Sequence, residues 1–430
     1  MPRSERQQAC AILEPIFRGV GSLAQAFGSG WSAPAELSAA LIQELSYGVC
    51  RWHHRLQFYA QVLLEKPLRA KDSDVHCLIL IGLYQLFYLR IPAHAAIHET
   101  VEDAALLGKP WAKSLVNAVL REAQRQREDL LARAECDYSV WYSHPEWLLK
   151  RLKQDWPADY RAILDANNAR APMTLRVNLH KISRREYAAL LQQHGLPARE
   201  SMLAATALML DAPCDVRTLP GFAEGLVSVQ DEASQLVAQL LPLAPGLRVL
   251  DACAAPGGKT CALLEAESSL TILALDKEER RLPRMRDNLA RLGQQADVRC
   301  GDITTASFPV ESFDRILLDV PCSATGVVRR HPDIKLLRTE AEVTALCRTQ
   351  QALLRAAWPL LAPGGYLLYS TCSVLAEENH CQIERFLAEQ PTAKIQPLEI
   401  PAARPCAAGL QLLPTDGGHD GFYYALLKKG

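Results

Sequence analysis

Residues Gly246 to Thr260 read GLRVLDACAAPGGKT and give the clearest indication of the architecture. The first half is typical of a buried strand ending at Asp251. The second half contains Gly257 and Gly258, which let the backbone approach a ligand at the start of a helix. A Walker phosphate loop needs a glycine five residues before Gly258, where this chain has Cys253. We therefore expect a strand, a ligand loop and a helix that do not bind a nucleoside triphosphate.

Strand-like and helix-like segments alternate from about residue 242 onward. The segments typical of strands are GLRVLDA, TILALDK, ADVRCGD, FDRILLDV and GGYLLYSTC, and helical patterns such as CALLEAE and RRLPRMRDNLARLG separate them. This alternation is typical of a mostly parallel sheet with helices on both faces. The sequence therefore predicts an α/β fold for this part of the chain.

The sequence before this region has a different character. Up to about residue 140, apolar residues recur at spacings of three and four, which predicts a helical bundle. Further on, the strand-like segments PMTLRVNLHKI and LVSVQ enclose the helical pattern SRREYAALLQQHG. We predict an all-α domain at 1–140, a helical connector at 141–165, a small α/β, RRM-like extension at 166–235, and a Rossmann-like catalytic domain at 236–430.

Composition limits the class of protein. The chain has 430 residues and a net charge of -1, so any nucleic-acid contact requires a local basic face. Its 13 cysteines form no CxxC pair and no zinc-ligand spacing, which fits reduced thiols. The first ten residues lack an apolar signal core, and the most apolar run, Cys77 to Leu89, is shorter than a membrane span of roughly 20 residues. We expect a cytoplasmic protein in which this run is a buried helix.

Acidic residues follow four consecutive predicted strands, at the edge where an open α/β sheet binds ligands. They are Asp251, Asp276, Asp302 and Asp319. Asp276 follows the glycines by roughly 20 residues, a spacing at which a carboxylate accepts hydrogen bonds from ribose hydroxyls, and Asp302 is placed to meet an adenine edge. One such acid can be a helix cap or turn residue, but four favour a nucleoside cofactor. The glycine pattern is not GxGxxG, so S-adenosylmethionine is favoured over NAD.

Two cysteines lie at the ends of the fourth and fifth predicted strands. Cys322 lies in LLDVPCSATG, shortly after Asp319, and Cys372 lies in YSTCSV. Carbon 5 of a cytosine accepts a methyl group only after a thiolate adds at carbon 6, and this addition needs a proton or hydrogen bond at N3, which Asp319 can supply. The carbon 5 proton must then leave so that the sulfur is eliminated. Two thiols and one acid suit these steps, but spacing alone does not assign the attack to either cysteine.

Four motifs resemble those of the RNA cytosine-5 methyltransferases of the Sun/Nol1 type: DACAAPGGKT, LLDVPCSATG, RRHPDIK and YSTCSVLAEEN. The resemblance extends to RVN at Arg176 to Asn178 and to GFYYALLKK near the end of the chain. It implies a class I S-adenosylmethionine-dependent methyltransferase fold, with Cys372 as the nucleophile and Cys322 assisting release. It also implies that the cofactor is bound by Cys253, Ala254, Ala255, Pro256, Gly257, Gly258, Lys259, Asp276, Asp302 and Asp319.

One position departs from that family. The family usually has DAPC where this chain has DVPC, with Val320 in place of alanine. A larger side chain beside Asp319 is expected to tighten the pocket. The chemistry is expected to persist, because the acid, the proline and the cysteine of the motif are kept.

The first 140 residues carry a second resemblance. IPAHAAIHETVE and KSLVNAVLR are similar to segments of the NusB family of all-helical RNA-binding modules. A NusB-like module fused to this catalytic domain resembles the bacterial 16S ribosomal RNA cytosine-5 methyltransferases. The resemblance implies that the partner is 16S ribosomal RNA or a small-subunit assembly intermediate. We expect a monomer without a metal ion.

A basic segment, RRHPDIKLLR, follows the Cys322 motif. We predict that its four basic residues contact phosphates beside the target base, and the alternative is a solvated charged helix. A single-stranded target is favoured because a base must leave its stack to reach a pocket thiol. Arg51 to His54 are further candidates for RNA contact, although a bundle surface explains them almost as well. The predicted phosphate contacts are Arg329, Arg330, Lys335 and Arg338.

Two other functions compete with cytosine methylation. An amino-group methyltransferase on the same fold typically carries a [DN]PP[YF] motif at the fourth strand, where this chain has DVPC, and it would not need Cys372. A non-enzymatic RNA-binding or assembly factor with a relic catalytic domain would be expected to have lost part of the glycine loop, the acids or the cysteines. All of these are present, which favours the enzyme.

Overall fold

Strands first occur at Thr174 in the computed structural model, which describes residues 4–28 and 30–430. The α-helices are α1 (Glu5–Phe17), α2 (Leu23–Ala26), α3 (Ala39–Arg51), α4 (His53–Leu63), α5 (Ser73–Tyr88), α6 (Ala93–Leu106), α7 (Ala112–Arg125), α8 (Arg127–Glu135), α9 (Tyr138–Trp141), α10 (Glu146–Asp155), α11 (Tyr160–Asn168), α12 (Arg184–Gln193), α13 (Glu232–Gln235), α14 (Val237–Leu240), α15 (Gly258–Ala266), α16 (Leu282–Leu292), α17 (Ile334–Leu337), α18 (Glu340–Ala357) and α19 (His380–Glu389). The β-strands are β1 (Thr174–Val177), β2 (Ala198–Glu200), β3 (Ala207–Leu210), β4 (Val227–Val229), β5 (Arg248–Asp251), β6 (Thr271–Asp276), β7 (Asp297–Cys300), β8 (Phe313–Asp319), β9 (Leu361–Thr371), β10 (Ala393–Gln396), β11 (Arg404–Pro405), β12 (Leu410–Leu412) and β13 (Phe422–Lys429).

The chain divides into two units. The helical unit consists of Met1–Asn168 together with Val328–Thr339, and the catalytic unit consists of Ala169–Val327 together with Glu340–Gly430. The sequence had predicted Val328–Thr339 as part of the domain at 236–430. The structure groups this segment with the helices, and the side chains of Arg329 and Lys335 within it are buried.

The centre of the helical unit is α5, formed by the apolar run noted in the sequence. Its residues from Cys77 to Gln85 are buried without interruption, because the run is apolar on nearly every face. Gly82 allows a neighbouring helix to come close, since a Cβ there would meet the methyl groups of Leu120 at 2.7 Å. The prediction of a buried helix is confirmed. Among the described residues, no helix combines the length and apolar character needed to cross a membrane.

A small antiparallel sheet begins the catalytic unit. Its strand order is β2-β3-β1-β4. Strand β1 carries Arg176 of the RVN motif, whose side chain is only 2% exposed. Its guanidinium donates two hydrogen bonds to the carboxylate of Glu265 in α15, at 2.7 and 2.9 Å, and one to the carbonyl oxygen of Gly258 at 2.7 Å. The small sheet is thereby attached to the helix that follows the glycine loop.

A nine-stranded sheet forms the rest of the catalytic unit. Five parallel strands follow the order β9-β8-β5-β6-β7, and β13 is antiparallel to β9. The predicted mostly parallel sheet is confirmed, and its five strands coincide with the five strand-like segments of the sequence. Because β5 is paired with β6 on one side and β8 on the other, the chain reverses its winding there, which creates a crevice at the carboxyl ends of these strands.

Candidate active site at the carboxyl ends of the parallel strands

A cavity of about 440 Å³ opens at the carboxyl ends of the parallel strands. The side chains around it come from the ends of β6, β7, β8 and β9 and from α18. Seven predicted site residues line it: Cys253, Ala255, Asp276, Asp302, Asp319, Cys322 and Cys372. Residues more than 90 positions apart in sequence therefore meet at one crevice. Val320, the departure from the family pattern, also lines the cavity and is only 4% exposed.

The glycine loop lies beside this cavity. Gly257 is the N-cap of α15, and its φ of 92° is a left-handed conformation that favours glycine. A Cβ there would also meet Met285 Cγ at 2.8 Å, whereas a Cβ on Gly258 would meet only Gln230 Nε2, at 3.6 Å. Of the seven predicted loop residues, Cys253 and Ala255 line the cavity; the other five are not among its lining residues.

Asp276 connects the glycine loop to the end of β6. Its carboxylate accepts one hydrogen bond from the N–H of Ala255 and one from the N–H of Glu278, both at 3.0 Å. The Arg281 guanidinium lies 3.5 Å from the same carboxylate. Each carboxylate oxygen can accept more than one hydrogen bond, so Asp276 keeps acceptor capacity on the cavity side.

Asp302 follows β7 on the neighbouring part of the rim. Its Oδ1 accepts hydrogen bonds from the N–H of Thr304 at 2.9 Å and from the Thr304 hydroxyl at 2.7 Å. These two hydrogen bonds, the hydroxyl foremost, lower the pKa of Asp302. The carboxylate is therefore fixed at the rim as an acceptor for a ligand donor.

Asp251, to which the sequence assigned no role beyond its place at a strand end, is buried beneath the loop. Burial raises its pKa to about 7, although the hydrogen bond from the Thr260 hydroxyl, 2.6 Å long, acts in the opposite direction. The second oxygen, Oδ1, is buried and has no hydrogen-bond donor among the described residues. A buried acceptor of this kind is uncommon and often marks a place for a ligand or a water molecule.

Two further cysteines flank the glycine loop. Burial, followed by the charges of Asp251 and Asp319, raises the pKa of Cys253 far above that of a free thiol. Burial also raises the pKa of Cys261, to about 12. Both therefore remain thiols near neutral pH.

An ion pair joins the loop to the end of β8. Lys259 Nζ donates to Asp319 Oδ2 at 2.5 Å, and the Ser370 hydroxyl donates to Asp319 Oδ1 at 2.8 Å. Burial is the largest single influence on the pKa of Lys259 and lowers it, but the charge of Asp319, its hydrogen bond and the neighbouring acidic groups together outweigh burial, so the net shift is upward. Lys259 was predicted to bind the cofactor, and its ammonium is hydrogen-bonded to Asp319, the predicted catalytic acid.

The two cysteines are in direct contact. The Sγ atoms of Cys322 and Cys372 lie 3.4 Å apart. The hydrogen bond to Cys372, and then burial, raise the pKa of Cys322 well above that of a free thiol. Gly326 makes this approach possible: its N–H donates to the carbonyl oxygen of Cys372 at 2.9 Å, and a Cβ on Gly326 would meet the carbonyl oxygen of Gly421 at 2.2 Å. Cys322 and Cys372 both line the cavity described above.

Comparison with known proteins shows the family of this chain. The family model "16S rRNA methyltransferase RsmB/F" matches residues 238–428, a ferredoxin-like domain model of RsmF/B-like proteins matches 144–217, and the NusB family model matches 22–125. The ribosomal RNA small subunit methyltransferase B of Pseudomonas putida is 52% identical, over 99% of this chain and 98% of that protein. The corresponding protein of Vibrio cholerae is 49% identical, over 91% of this chain and 89% of that protein. The chain belongs to the RsmB/F family of methyltransferases.

Solved structures agree with membership of the RsmB/F family. The crystal structure of PH0851 has a TM-score of 0.82 and 25% identity, covering 100% of this chain and 99% of that one. A methyltransferase homolog protein from Pyrococcus horikoshii has a TM-score of 0.60 and 29% identity, covering 68% of this chain and 97% of that one. The predicted fold class, a Rossmann-like methyltransferase domain with a NusB-like helical domain, is confirmed.

The basic segment of this RsmB/F family member does not form one exposed surface. Arg329 is 1% exposed and Lys335 is 2% exposed, whereas Arg330 and Arg338 are partly exposed. Lys335 Nζ donates three hydrogen bonds within the helical unit. Its acceptors are the carbonyl oxygens of Arg51 and Ser143 and Oδ1 of Asn168, at 2.8, 3.1 and 2.5 Å. Arg329 and Lys335 are therefore not available to phosphates in this conformation.

The two histidines predicted as possible RNA contacts are also largely enclosed. Burial lowers the pKa of His53 to about 3 and that of His54 to about 4. Both rings are therefore neutral near pH 7 and supply no positive charge for phosphate binding. The sequence does not reveal the burial of His53 and His54, because a run of aromatic and basic residues has the same pattern whether it is exposed or buried.

One group of possible metal ligands lies outside the cavity. His380, Cys381 and Glu384, at the start of α19, bring their donor atoms within 4.8 Å of one another. None of the three lines the cavity.

Proposed function

We propose that the protein transfers a methyl group from S-adenosylmethionine to carbon 5 of a cytosine in 16S ribosomal RNA, with Cys372 as the nucleophile and Cys322 assisting release. The observation that carries this proposal is the 3.4 Å contact between the two thiols, beside the pair of Lys259 and Asp319. An amino-group methyltransferase has no use for two thiols in contact. The RNA substrate is inferred from the family and from relatives that are called ribosomal RNA small subunit methyltransferase B.

The residues around the cavity fit S-adenosylmethionine. A volume of about 440 Å³ is within the range of sites that enclose a ligand of this size. Asp276 has remaining acceptor capacity for ribose hydroxyls, and Asp302 for an adenine amino group. The unpartnered Oδ1 of Asp251 is an acceptor for the positively charged end of the cofactor, directly or through water. When bound, the cofactor supplies the electrophilic methyl group.

Cys372 begins the reaction on the base. Its thiolate adds to carbon 6, and the electron pair of the carbon 5–carbon 6 double bond becomes available at carbon 5 to accept the methyl group. N3 of the ring must receive a proton or hydrogen bond during this addition. Asp319 lies at the cavity and is hydrogen-bonded to the Lys259 ammonium, so the pair supplies a proton at N3 through Asp319.

Cys322 is placed for the second half of the reaction. After methyl transfer, the proton on carbon 5 must leave, its electron pair must restore the double bond, and the bond between carbon 6 and sulfur must break. The carbon 5 proton passes to a water molecule, and Cys322 Sγ, in contact with Cys372 Sγ, donates its thiol proton to the departing sulfur. Its raised pKa keeps it a thiol while Cys372 attacks, which separates the two roles.

Nucleoside analysis tests the proposed function. The protein is incubated with 16S ribosomal RNA from a strain lacking the modification and with methyl-labelled S-adenosylmethionine, and the RNA is digested and separated by chromatography. Label in 5-methylcytidine, lost in Cys372→Ala, is the expected result. Label in an N-methylated nucleoside would instead indicate an amino-group methyltransferase. RNA binding without any label would indicate an assembly factor.

A further inference from the structure

A buried carboxylate stands behind the two cysteines. Glu378, in the short turn between β9 and α19, is 0% exposed. Its Oε1 accepts the N–H of Ser323 at 2.8 Å and Nε2 of Gln350 at 3.0 Å. Its Oε2 accepts the hydroxyls of Ser323 and Ser373, each at 2.5 Å. The four donors match the acceptor capacity of one carboxylate.

The donors to this carboxylate come from both cysteine loops. Ser323 directly follows Cys322, and Ser373 directly follows Cys372. The two serines are 50 positions apart in sequence, and their hydroxyl oxygens lie 3.3 Å apart. A single carboxylate thus holds the residue next to each thiol.

Neighbouring contacts make this arrangement rigid. Asn379, the next residue, accepts from the Thr371 hydroxyl at 2.6 Å and donates to the carbonyl oxygen of Ser373 at 3.0 Å. The Tyr369 hydroxyl donates to the carbonyl oxygen of Glu378 at 2.7 Å. These contacts attach the turn that contains Glu378 to the end of β9. The Glu378 side chain then reaches from that turn to the other loop.

We propose that Glu378 is a positioning residue that sets the spacing between the Cys322 and Cys372 thiols. Glu378 is not among the residues that line the cavity, so it acts through Ser323 and Ser373 rather than on the substrate. The charge of Glu378 also contributes to the raised pKa of Cys322, after the hydrogen bond to Cys372 and burial. The catalytic consequence rests on the proposed function, whereas the control of thiol spacing does not.

Replacement by glutamine is a sharp probe of this role. Glu378→Gln keeps the length of the side chain but replaces one oxygen by an NH₂ group, which donates. If the amide oxygen faces the Ser323 N–H and Gln350, the NH₂ group faces two serine hydroxyls, and both must change from donating to accepting. Glu378→Asp keeps the charge but is one methylene shorter. The adjacent Glu377→Gln is the matched control, because the Glu377 side chain makes none of these four contacts.

The spacing of the thiols can be measured without RNA or cofactor. Diamide oxidises two nearby thiols to a disulfide and is itself reduced to the hydrazine, and tryptic mass spectrometry then quantifies the Cys322–Cys372 linked peptides over time. Wild type and Glu377→Gln should form this link at the same rate. In Glu378→Gln the link should form at least about tenfold more slowly, because the effective concentration of one thiol at the other falls steeply when the two are misaligned.

Steady-state kinetics provide the second readout. In Glu378→Gln, kcat should fall on the order of 100-fold, because a displacement of about 1 Å between reacting groups lowers the rate by this much. The cofactor Kd should stay within about twofold, because the contacts that bind the cofactor are not displaced. A purely structural role would lower Tm and leave both the disulfide rate and kcat of the folded protein unchanged, which would overturn the proposal. If wild type forms no 5-methylcytidine but the disulfide rates differ as stated, the proposed function fails and the positioning role stands.

A second variant covers the case in which Glu378→Gln does not fold. Ser373→Ala removes one of the two hydroxyl donors to the carboxylate and leaves the two hydrogen bonds from Ser323 to the carboxylate in place. Its disulfide rate should fall in the same direction but by less. A rate equal to that of wild type in this variant would contradict the proposal.

Discussion

Lys259 Nζ and Asp319 Oδ2 lie 2.5 Å apart at the junction of the glycine loop and the end of β8. The loop expected to bind the cofactor and the acid expected to meet the base are therefore connected by one ion pair. The upward shift of the Lys259 pKa means that the ammonium is retained throughout the neutral range. The contribution of this pair to the free energy of unfolding is fully present below the ordinary lysine pKa. It is lost only as the pH rises through the higher pKa that Lys259 has in the folded protein.

Asp319→Asn should reduce methyl transfer more than cofactor binding. The amide has the shape of the acid but cannot pass a proton from Lys259 to N3 of the base, and proton transfer of this kind contributes about 100- to 10,000-fold. We expect kcat to fall within that range and the cofactor Kd to change little. Asp314→Asn, an acid of the same strand that pairs with Arg248, is the control and should keep full activity. Equal losses in kcat and in cofactor affinity would assign Asp319 to binding instead.

Asp276→Ala should weaken the cofactor through lost ribose hydrogen bonds. Hydrogen bonds to a charged acceptor contribute about 1.5 to 3 kcal/mol, so the Kd should rise by roughly one to two orders of magnitude. Isothermal titration with S-adenosylmethionine measures this change. Asp287→Ala, on the exposed side of α16, should leave the Kd unchanged. An unchanged Kd in Asp276→Ala would remove this residue from the cofactor site.

Asp251 should make stability fall with rising pH. Its ordinary pKa is 3.8, and burial raises it to about 7 in the folded protein. Between these values the folded state holds a proton that the unfolded state has released, so the free energy of unfolding decreases as pH rises, by at most about 1.4 kcal/mol per unit from this group. Asp251→Asn should flatten this dependence between pH 4 and 7 in denaturant titrations. The same slope in wild type and variant would show that the group does not titrate in this window.

The buried ion pair of Arg176 and Glu265 should matter far more than a surface pair. Arg176→Met leaves the Glu265 carboxylate buried without its cation, and losses of about 3 to 5 kcal/mol are typical for such a change. Denaturant titration of the variant measures it. Arg217→Met breaks the exposed pair with Asp215 and should give no measurable change. Similar effects of the two substitutions would show that burial is not the deciding factor.

The basic residues of the segment 328–339 should separate into two classes. Arg330→Gln should reduce the slope of log K for RNA against log salt concentration by about one if this partly exposed residue contacts a phosphate. Lys335→Met should leave that slope unchanged and lower Tm, because Lys335 Nζ already donates to three oxygens inside the helical unit. Filter binding over a salt series measures both. A reduced slope in Lys335→Met would mean that this side chain leaves its buried position when RNA binds.

The parallel strands and their ligand residues were predictable from the sequence. Each of β5, β6 and β8 is a short apolar run ending in an aspartate, and the topology of a doubly wound sheet brings such ends together. The strands β10, β11 and β12 were not predicted, because their sequences AKIQ, RP and LQL contain no continuous apolar run. The burial of Lys335 was missed since a local count of charges contains no information about which residues from distant parts of the chain surround it.

The roles of single side chains were the least predictable part of the site. The pairing of Lys259 with Asp319, and the contacts of Glu378 with Ser323 and Gln350, join residues about 30 to 60 positions apart. The assignment of Cys372 as the nucleophile came from a family resemblance. The contact between the two sulfur atoms does not distinguish the attacking cysteine from the other one. Only an experiment that follows the covalent intermediate separates their roles.

That experiment mixes wild type, Cys372→Ala and Cys322→Ala proteins with unmodified 16S ribosomal RNA and methyl-labelled S-adenosylmethionine, and resolves the products on a denaturing gel. The account predicts that Cys322→Ala accumulates a protein band carrying both RNA and label, because attack and methylation proceed but release is impaired. Cys372→Ala should give neither this band nor methylated RNA. A covalent band in Cys372→Ala, with none in Cys322→Ala, would contradict the account and assign the attack to Cys322.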